Sequence, residues 1–200
     1  MTIKNKSQFI EYFSKGIKNT NQLKIGVEHE RFLFEGQNKK RISYRLLKKL
    51  FENLKKNGWQ PLFEKENIIG MQRDSQQITT EPGLQCELSG APLENIHQVC
   101  NESSKFLKEI ENASKGLDIN TVSIGFDPFN NLSDVPQSPK ERYKIMTSEM
   151  PKGGKQSLEM MYRTCGIQIN YDYTSESNFE KIFRLGNYLT PLTIALYSNS

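Results

Sequence analysis

The chain is poor in the residues that staple small secreted or metal-clustered domains. Of its 200 residues three are cysteine, two histidine and one tryptophan. Cys86, Cys100 and Cys165 are odd in number and far apart, so they suit neither a disulfide framework nor a zinc cluster. A reducing compartment suits them, and a cytoplasmic protein is the expectation. No apolar run approaches the roughly 20 residues that cross a bilayer, so no membrane is expected as a partner. The opening MTIKNKSQFI lacks a positive segment followed by an apolar one, which argues against secretion through a signal peptide. Repeats, low-complexity tracts and Pro/Gly/Ser linkers are also missing, so residues 1–200 read as one structural unit.

Hydrophobic residues make up 36% and charged residues 25%, somewhat lean but sufficient for one continuous core. The 27 basic and 23 acidic residues leave a net charge of +4, part of it concentrated in Lys39, Lys40, Arg41, Lys48, Lys49, Lys55 and Lys56. No aromatics interleave with these cations as a base-stacking platform requires. They fall opposite Leu46, Leu47, Leu50, Phe51 and Leu54, the pattern of a solvated helix face, and nucleic acid is not expected as a partner.

Apolar spacing predicts helices over 7–17, 41–57 with Gly58 closing the second, and 93–114 through Leu93, Ile96, Val99, Cys100, Phe106, Leu107, Ile110 and Ala113. Ser138-Pro139-Lys140-Glu141 reads as a capping box with proline at the first helical position, opening a helix through Met146. Further helices are expected over 155–163 and from Ser175 to 199. Strands are expected over 23–34, 60–64, 67–72, 77–89, 120–126 and 165–173, with a hairpin turn at Arg73-Asp74-Ser75-Gln76. Hairpin-joined strands and helices that do not alternate strictly indicate an α+β fold with a largely antiparallel sheet. The last helix is strongly apolar up to the end of the chain at Ser200, so the chain is expected to be cut short and that helix to lack its partner.

Residues two apart on a strand share a face. Glu28 and Glu30 therefore project together. Over 79–89, Glu81, Gln85 and Glu87 oppose Pro82, Leu84, Cys86 and Leu88. Over 165–172, Gln168, Asn170 and Asp172 oppose Ile167, Ile169 and Tyr171. If the strands share a sheet, four glutamates crowd one surface, and like charges so placed call for a hard divalent cation such as magnesium. Strands with one face in water would show the same alternation. Glu81-Pro82-Gly83 inside a strand favours the ligand, because proline and glycine there mark close backbone approach. By parity His29, beside Val27, reads as a satisfied core histidine, and Cys86 and Cys100 as small core residues.

At these residues the sequence resembles the glutamate–cysteine ligases of plant and proteobacterial type. IGVEHERFLF (25–34), TTEPGLQCELSGAPLENIHQVC (79–100), MPKGGKQSLEMMYRTCGIQIN (150–170) and FRLGNYLTPLTIALYSNS (183–200) carry the resemblance. It implies ATP-dependent joining of the γ-carboxyl of L-glutamate to the amine of L-cysteine, through a γ-glutamyl phosphate, as the first step of glutathione biosynthesis. It also implies a glutamine-synthetase-like carboxylate–amine ligase fold, incomplete at its C-terminus, with ATP and Mg²⁺ as cofactors. Glu28, Glu30, Glu81 and Glu87 match the family's metal-associated glutamates; Glu81, Gln85 and Gln168 would face the nucleotide. Arg163, with a fork suited to a substrate carboxylate, and Lys152, in a glycine-flanked loop, are the catalytic candidates. Leu84 and Cys86 depart from the family's usual glycine and phenylalanine. Another amine acceptor, or a binding module without activity, stays open. In the folded protein, the four glutamates should converge on one sheet face with their pKa values raised by mutual repulsion.

Overall fold

The longest strand, β1 (Ile25–Glu35), organises the sheet. Glu28 and Glu30 alternate along it with Val27 and His29, while Phe32, Leu33 and Phe34 are buried in succession, as in a strand covered on both faces. A computed structural model describes residues 3–198 and places β1 against four partners, all antiparallel. β6 (Cys86–Ser89) and β8 (Ile167–Tyr171) flank its first half; β7 (Ile119–Val122) and β2 (Lys40–Arg41) flank its second. β5 (Gln76–Thr80), β4 (Asn67–Arg73) and β3 (Gln60–Glu64) continue the sheet beyond β6, in the order β2-β1-β6-β5-β4-β3. The α+β class and the antiparallel sheet are as the sequence predicts.

Two helices cover one face. In α2 (Tyr44–Leu54), Leu47, Leu50, Phe51 and Leu54 recur at helical spacing and are buried. Ser43 caps its first turn by accepting from the Leu46 amide, and Gly58, at φ 85°, supplies the left-handed residue that ends the following 3₁₀ turn. α3 (Ile96–Ser114) brings Val99, Phe106, Ile110 and Ala113 to the core, which also takes in Trp59, Met71, Ile78, Leu84, Cys86 and Leu88. α1 (Lys6–Ser14), α4 (Glu141–Glu149), α5 (Ser157–Arg163) and α6 (Glu176–Tyr197) complete the order, with Tyr143, Met161 and Tyr162 forming a second core under α4 and α5.

Several expectations are corrected. α3 starts at Ile96 rather than 93, because Leu93 bridges to Ile25 and Asn95 takes the cap by accepting from the Gln98 amide. Cys100 is exposed, since the buried stripe of α3 passes through Val99 instead. His29 is not satisfied: its Nε2 is buried without a partner, and burial pushes its pKa down. Ser138 does not cap a helix. Its amide donates to the Pro82 carbonyl and its hydroxyl meets that of Thr80 at 2.9 Å, so α4 begins only at Glu141 and runs on to Glu149. β7 ends at Val122, short of the expected 126. α6 carries exposed apolar side chains, as expected, and Ile167, Ile169 and Tyr171 of β8 are exposed as well; residue 199 of the predicted last helix lies outside the described residues.

The most consequential correction concerns 77–89, which is not one strand. β5 and β6 pair with each other, Thr80 opposite Cys86, and Glu81–Gln85 is the loop between them. The Glu81 amide donates to the Gln85 carbonyl at 2.8 Å and the Leu84 amide to the Glu81 carbonyl at 2.9 Å. Leu84 takes φ 60°, costly for a branched residue, and its fully buried side chain offsets that cost. Gly83 is required by space: a Cβ there would stand 2.6 Å from the Tyr162 carbonyl oxygen.

Arg41, grouped with the solvated lysines in the sequence, is buried instead. Its Nη1 donates to Asp127 and to the Tyr162 carbonyl, each at 3.3 Å, and its Nη2 donates to the Gly83 carbonyl. Asp127 in turn accepts from the amides of Phe129 and Asn130. Both side chains are fully withdrawn from water. Arg41→Met should therefore leave an uncompensated carboxylate and lower stability by about 3–5 kcal/mol, measured by urea unfolding. A loss under about 1 kcal/mol would show that the pair does not hold the loop.

Candidate functional site

Cross-strand register brings the glutamates together. Glu30 lies directly opposite Glu87, and Glu28 lies opposite Ser89 on one side and Gln168 on the other. Residues opposite one another in an antiparallel pair point to the same face, so these side chains share the face away from α2 and α3. Glu81 joins them from the start of the β5–β6 loop. Glu30, Glu81 and Glu87 offer carboxylate oxygens that all lie within 4.8 Å of one another. Glu28 is outside this trio; it accepts from Asn170 Nδ2 at 2.9 Å, two residues further out on β1. The expected four-glutamate cluster is thus a cluster of three with a neighbour, and a hairpin loop, not strand parity, delivers Glu81.

Each carboxylate is held. Glu30 accepts from the Gly166 amide at 2.7 Å. Glu87 accepts from the hydroxyls of Thr79 and Ser89 at 3.1 and 2.8 Å. Glu81 accepts from the Tyr143 hydroxyl, 3.1 Å from both its oxygens, and Arg142 Nη2 stands 3.7 Å away. The Glu30 carboxyl is pushed up to about 7, first by burial and then by the charges of Glu81, Glu87 and Glu28. Glu81 is raised as well, again first by burial and then by Glu87. Mutual repulsion, the cause expected from the sequence, is the smaller contribution; desolvation leads. Three hard oxygen donors so close fit a divalent cation.

A cavity of about 320 Å³ opens beside the trio, lined by Glu30, Glu81, Pro82, Gln85, Arg142, Tyr143, Thr164 and the methionines 146, 150, 160 and 161. Gln85, expected to face a nucleotide, is buried and committed to the backbone. Its Oε1 accepts from the Gly83 amide, and its Nε2 donates to the carbonyls of Met161 and Thr164. Gln168 is exposed on β8, beside Glu28.

The two basic candidates lie elsewhere. Arg163 spends its fork inside the protein: Nη1 donates to Glu159 at 2.6 Å, Nη2 to the Asp127 carbonyl at 2.8 Å, and the guanidinium stacks over Phe126. Lys152 is 69% exposed and paired with Glu149. Neither lines the cavity. Arg142 and Tyr143, which the sequence reading passed over, do. Their signal was the Arg-Tyr pair two and three residues past Lys140, hidden by the misplaced helix cap.

The fold and the cleft define an α+β protein whose antiparallel sheet presents a carboxylate-lined pocket at a hairpin loop. The sequence profile of glutamate-cysteine ligase family 2 matches residues 24–200. A chloroplastic glutamate–cysteine ligase of Medicago truncatula is 39% identical over 196 residues, covering 98% of this chain and 39% of the relative. The chloroplastic enzyme of Nicotiana tabacum is likewise 39% identical, with 98% and 38% covered, and chloroplastic enzyme A of Oryza sativa subsp. japonica is 39% identical, with 98% and 40% covered. The chain belongs to glutamate–cysteine ligase family 2. It spans about two fifths of the length of these relatives. The expectation of a cytoplasmic protein is overturned by these relatives, which are named as chloroplastic. Cysteine content alone does not set the compartment.

The raised Glu30 carboxyl has a pH signature. A carboxyl whose folded value lies above its ordinary 4.5 adds stability that is fully present below pH 4.5 and lost as pH rises through about 7. Without divalent cation, the melting temperature of the protein should fall over that interval, and Glu30→Gln should flatten the fall. Mg²⁺ should restore stability above pH 7 in the wild type and much less in Glu30→Gln. An identical pH profile in the variant would show that Glu30 does not titrate in this range.

Proposed function

We propose that this chain carries the cation- and substrate-handling cleft of an ATP-dependent ligase that joins the γ-carboxyl of L-glutamate to the amine of L-cysteine. That reaction opens glutathione biosynthesis, and the sheet would be of the glutamine-synthetase-like type. The observation that carries the reading is the convergence of Glu30, Glu81 and Glu87 within 4.8 Å, in a chain of this family.

The reaction transfers a phosphoryl group from ATP to the glutamate γ-carboxylate. The free amine of cysteine then attacks the acyl carbon, phosphate leaves, and the amine sheds a proton. Glu30, Glu81 and Glu87 would hold Mg²⁺, with Glu28 and Gln168 extending the polar face toward the nucleotide. Bound Mg²⁺ neutralises charge on the phosphoryl group in transit. The protein's own groups do the positioning. Tyr143 orients Glu81 by donating to its carboxylate, and Gln85 pins the loop from beneath. Arg142, its side chain 62% exposed at the cavity wall, offers a planar fork to a substrate carboxylate, the role first read for Arg163. Met146, Met150, Met160 and Met161 give the cavity an apolar wall.

Phosphate release from ATP should require Mg²⁺, L-glutamate and L-cysteine together, and Glu81→Gln should slow it by about 10²-fold or more. Release that is indifferent to L-cysteine would overturn the reading in favour of another amine. No release under any combination would overturn it altogether for this chain.

A further inference from the structure

Four of the chain's six methionines, Met146, Met150, Met160 and Met161, line the cavity beside the glutamate trio. Met150 continues the last turn of α4, so it stands one turn beyond Met146 on the same face. Their exposure differs. Met161 is 6% exposed, inside the second core with Tyr143 and Tyr162, and Met71 lies wholly inside the first core. Met146 and Met150 are half-buried against that second core, and Met160 is 53% exposed. Met150 and Met160 also line a second hollow, walled by Gly153 and Gly154, so a small solute reaches them from two sides.

The thiols nearby are shielded. Cys86 is buried, and Cys165, next to the Gly166 amide that holds Glu30, is half-buried. Burial pushes both thiols up, away from the thiolate that reacts with peroxide. A thioether has no proton to lose. We propose that Met150 and Met160 are a modification site for peroxide, and that sulfoxidation of Met150 weakens divalent-cation binding in the cleft. In the step, a sulfur lone pair attacks one peroxide oxygen and an S–O bond forms. The O–O bond breaks, the proton of the transferred oxygen passes to the departing hydroxide, and water leaves. Sulfur loses two electrons and the peroxide gains them. A polar sulfoxide then stands in place of an apolar side chain. Met150 packs on the second core, and α4 carries Tyr143, whose hydroxyl holds Glu81. A polar oxygen there hydrates the contact, loosens α4 over α5 and lets Glu81 swing away from Glu30 and Glu87. Met160 is already largely in water, so its oxidation disturbs the core less. The effect on the cation rests on the reading of the cleft given above; the pattern of oxidation does not.

Hydrogen peroxide treatment of the full chain, carrying Cys100→Ser to keep the exposed thiol out of the reaction, separates the two parts. Peptide mass mapping should show Met160 oxidised first and Met150 next, with Met71 and Met161 unmodified. Calorimetric Mn²⁺ affinity should fall about 3- to 10-fold in step with Met150 rather than Met160, and methionine sulfoxide reductase should restore it. Met150→Leu should keep its own Mn²⁺ affinity through the same treatment, whereas Met160→Leu should lose affinity as the parent chain does. Oxidation of Met71 or Met161 as fast as Met150 overturns the modification site. Affinity that survives full oxidation of Met150, or that falls equally in Met150→Leu, overturns the coupling. An untreated chain that binds no Mn²⁺ overturns the cleft reading and the coupling with it, and the mass map then decides the modification site alone.

Discussion

The Glu81–Gln85 loop keeps its shape because one guanidinium reaches three segments of chain at once. Arg41, at the end of β2, donates to the Gly83 carbonyl in the loop, to Tyr162 at the end of α5 and to Asp127 in the segment after β7. Only arginine has enough donors in a fixed plane to do this. Gln85 repeats the pattern from the other side, tying Gly83 to Met161 and Thr164. Between them the two side chains satisfy backbone groups that a five-residue loop buried against α5 would otherwise leave without water or partner. With the loop immobilised, Glu81 has one direction in which to point, and that direction is toward Glu30 and Glu87.

The arrangement stores electrostatic cost at the site. Three carboxylates that share a partly buried surface oppose the folded state whenever all are ionised, and the raised values of Glu30 and Glu81 express that opposition. The protein answers with nearby groups that do not fill the site: Tyr143 donates to Glu81, Arg142 approaches it at 3.7 Å, and Lys140 lies behind the Tyr143 ring. Such tension between stability and local charge is the usual mark of a binding site. Away from it, charge is handled as a structural protein handles it. Glu109, for instance, is buried but fully paired, accepting from Trp59 Nε1 and Arg73 Nη1 at 2.9 and 2.8 Å.

Much of this was legible in the residues. The apolar spacing of α2 and α3, the Gly58 stop, the turn at 73–76 and the α+β class all follow from local periodicity and turn chemistry, which act over a few residues. Glu28 and Glu30 could be assigned to one face for the same reason. Glu81 and Glu87 do come together, though not by the strand parity expected of them, since the chain reverses between them. The basic residues were misjudged in both directions. Arg41 was placed in water and is buried; Arg163 and Lys152 were placed at the site and are engaged elsewhere. A cation's neighbours come from distant segments, and no spacing rule reports them.

What the sequence determined by itself was the inventory: which stretches extend or coil, which faces are apolar, and that carboxylates recur at the spacing of a shared strand face. Tertiary structure alone decided which of them meet. Glu30 faces Glu87 because β1 and β6 pair in one register, and a slip of a single residue would send one of them to the opposite face. Glu81 reaches them because the Arg41 guanidinium, 40 residues earlier in the chain, closes on the loop that carries it. Periodicity is a property of neighbours in sequence, whereas a site is a property of neighbours in space, and only the closed sheet converts one into the other.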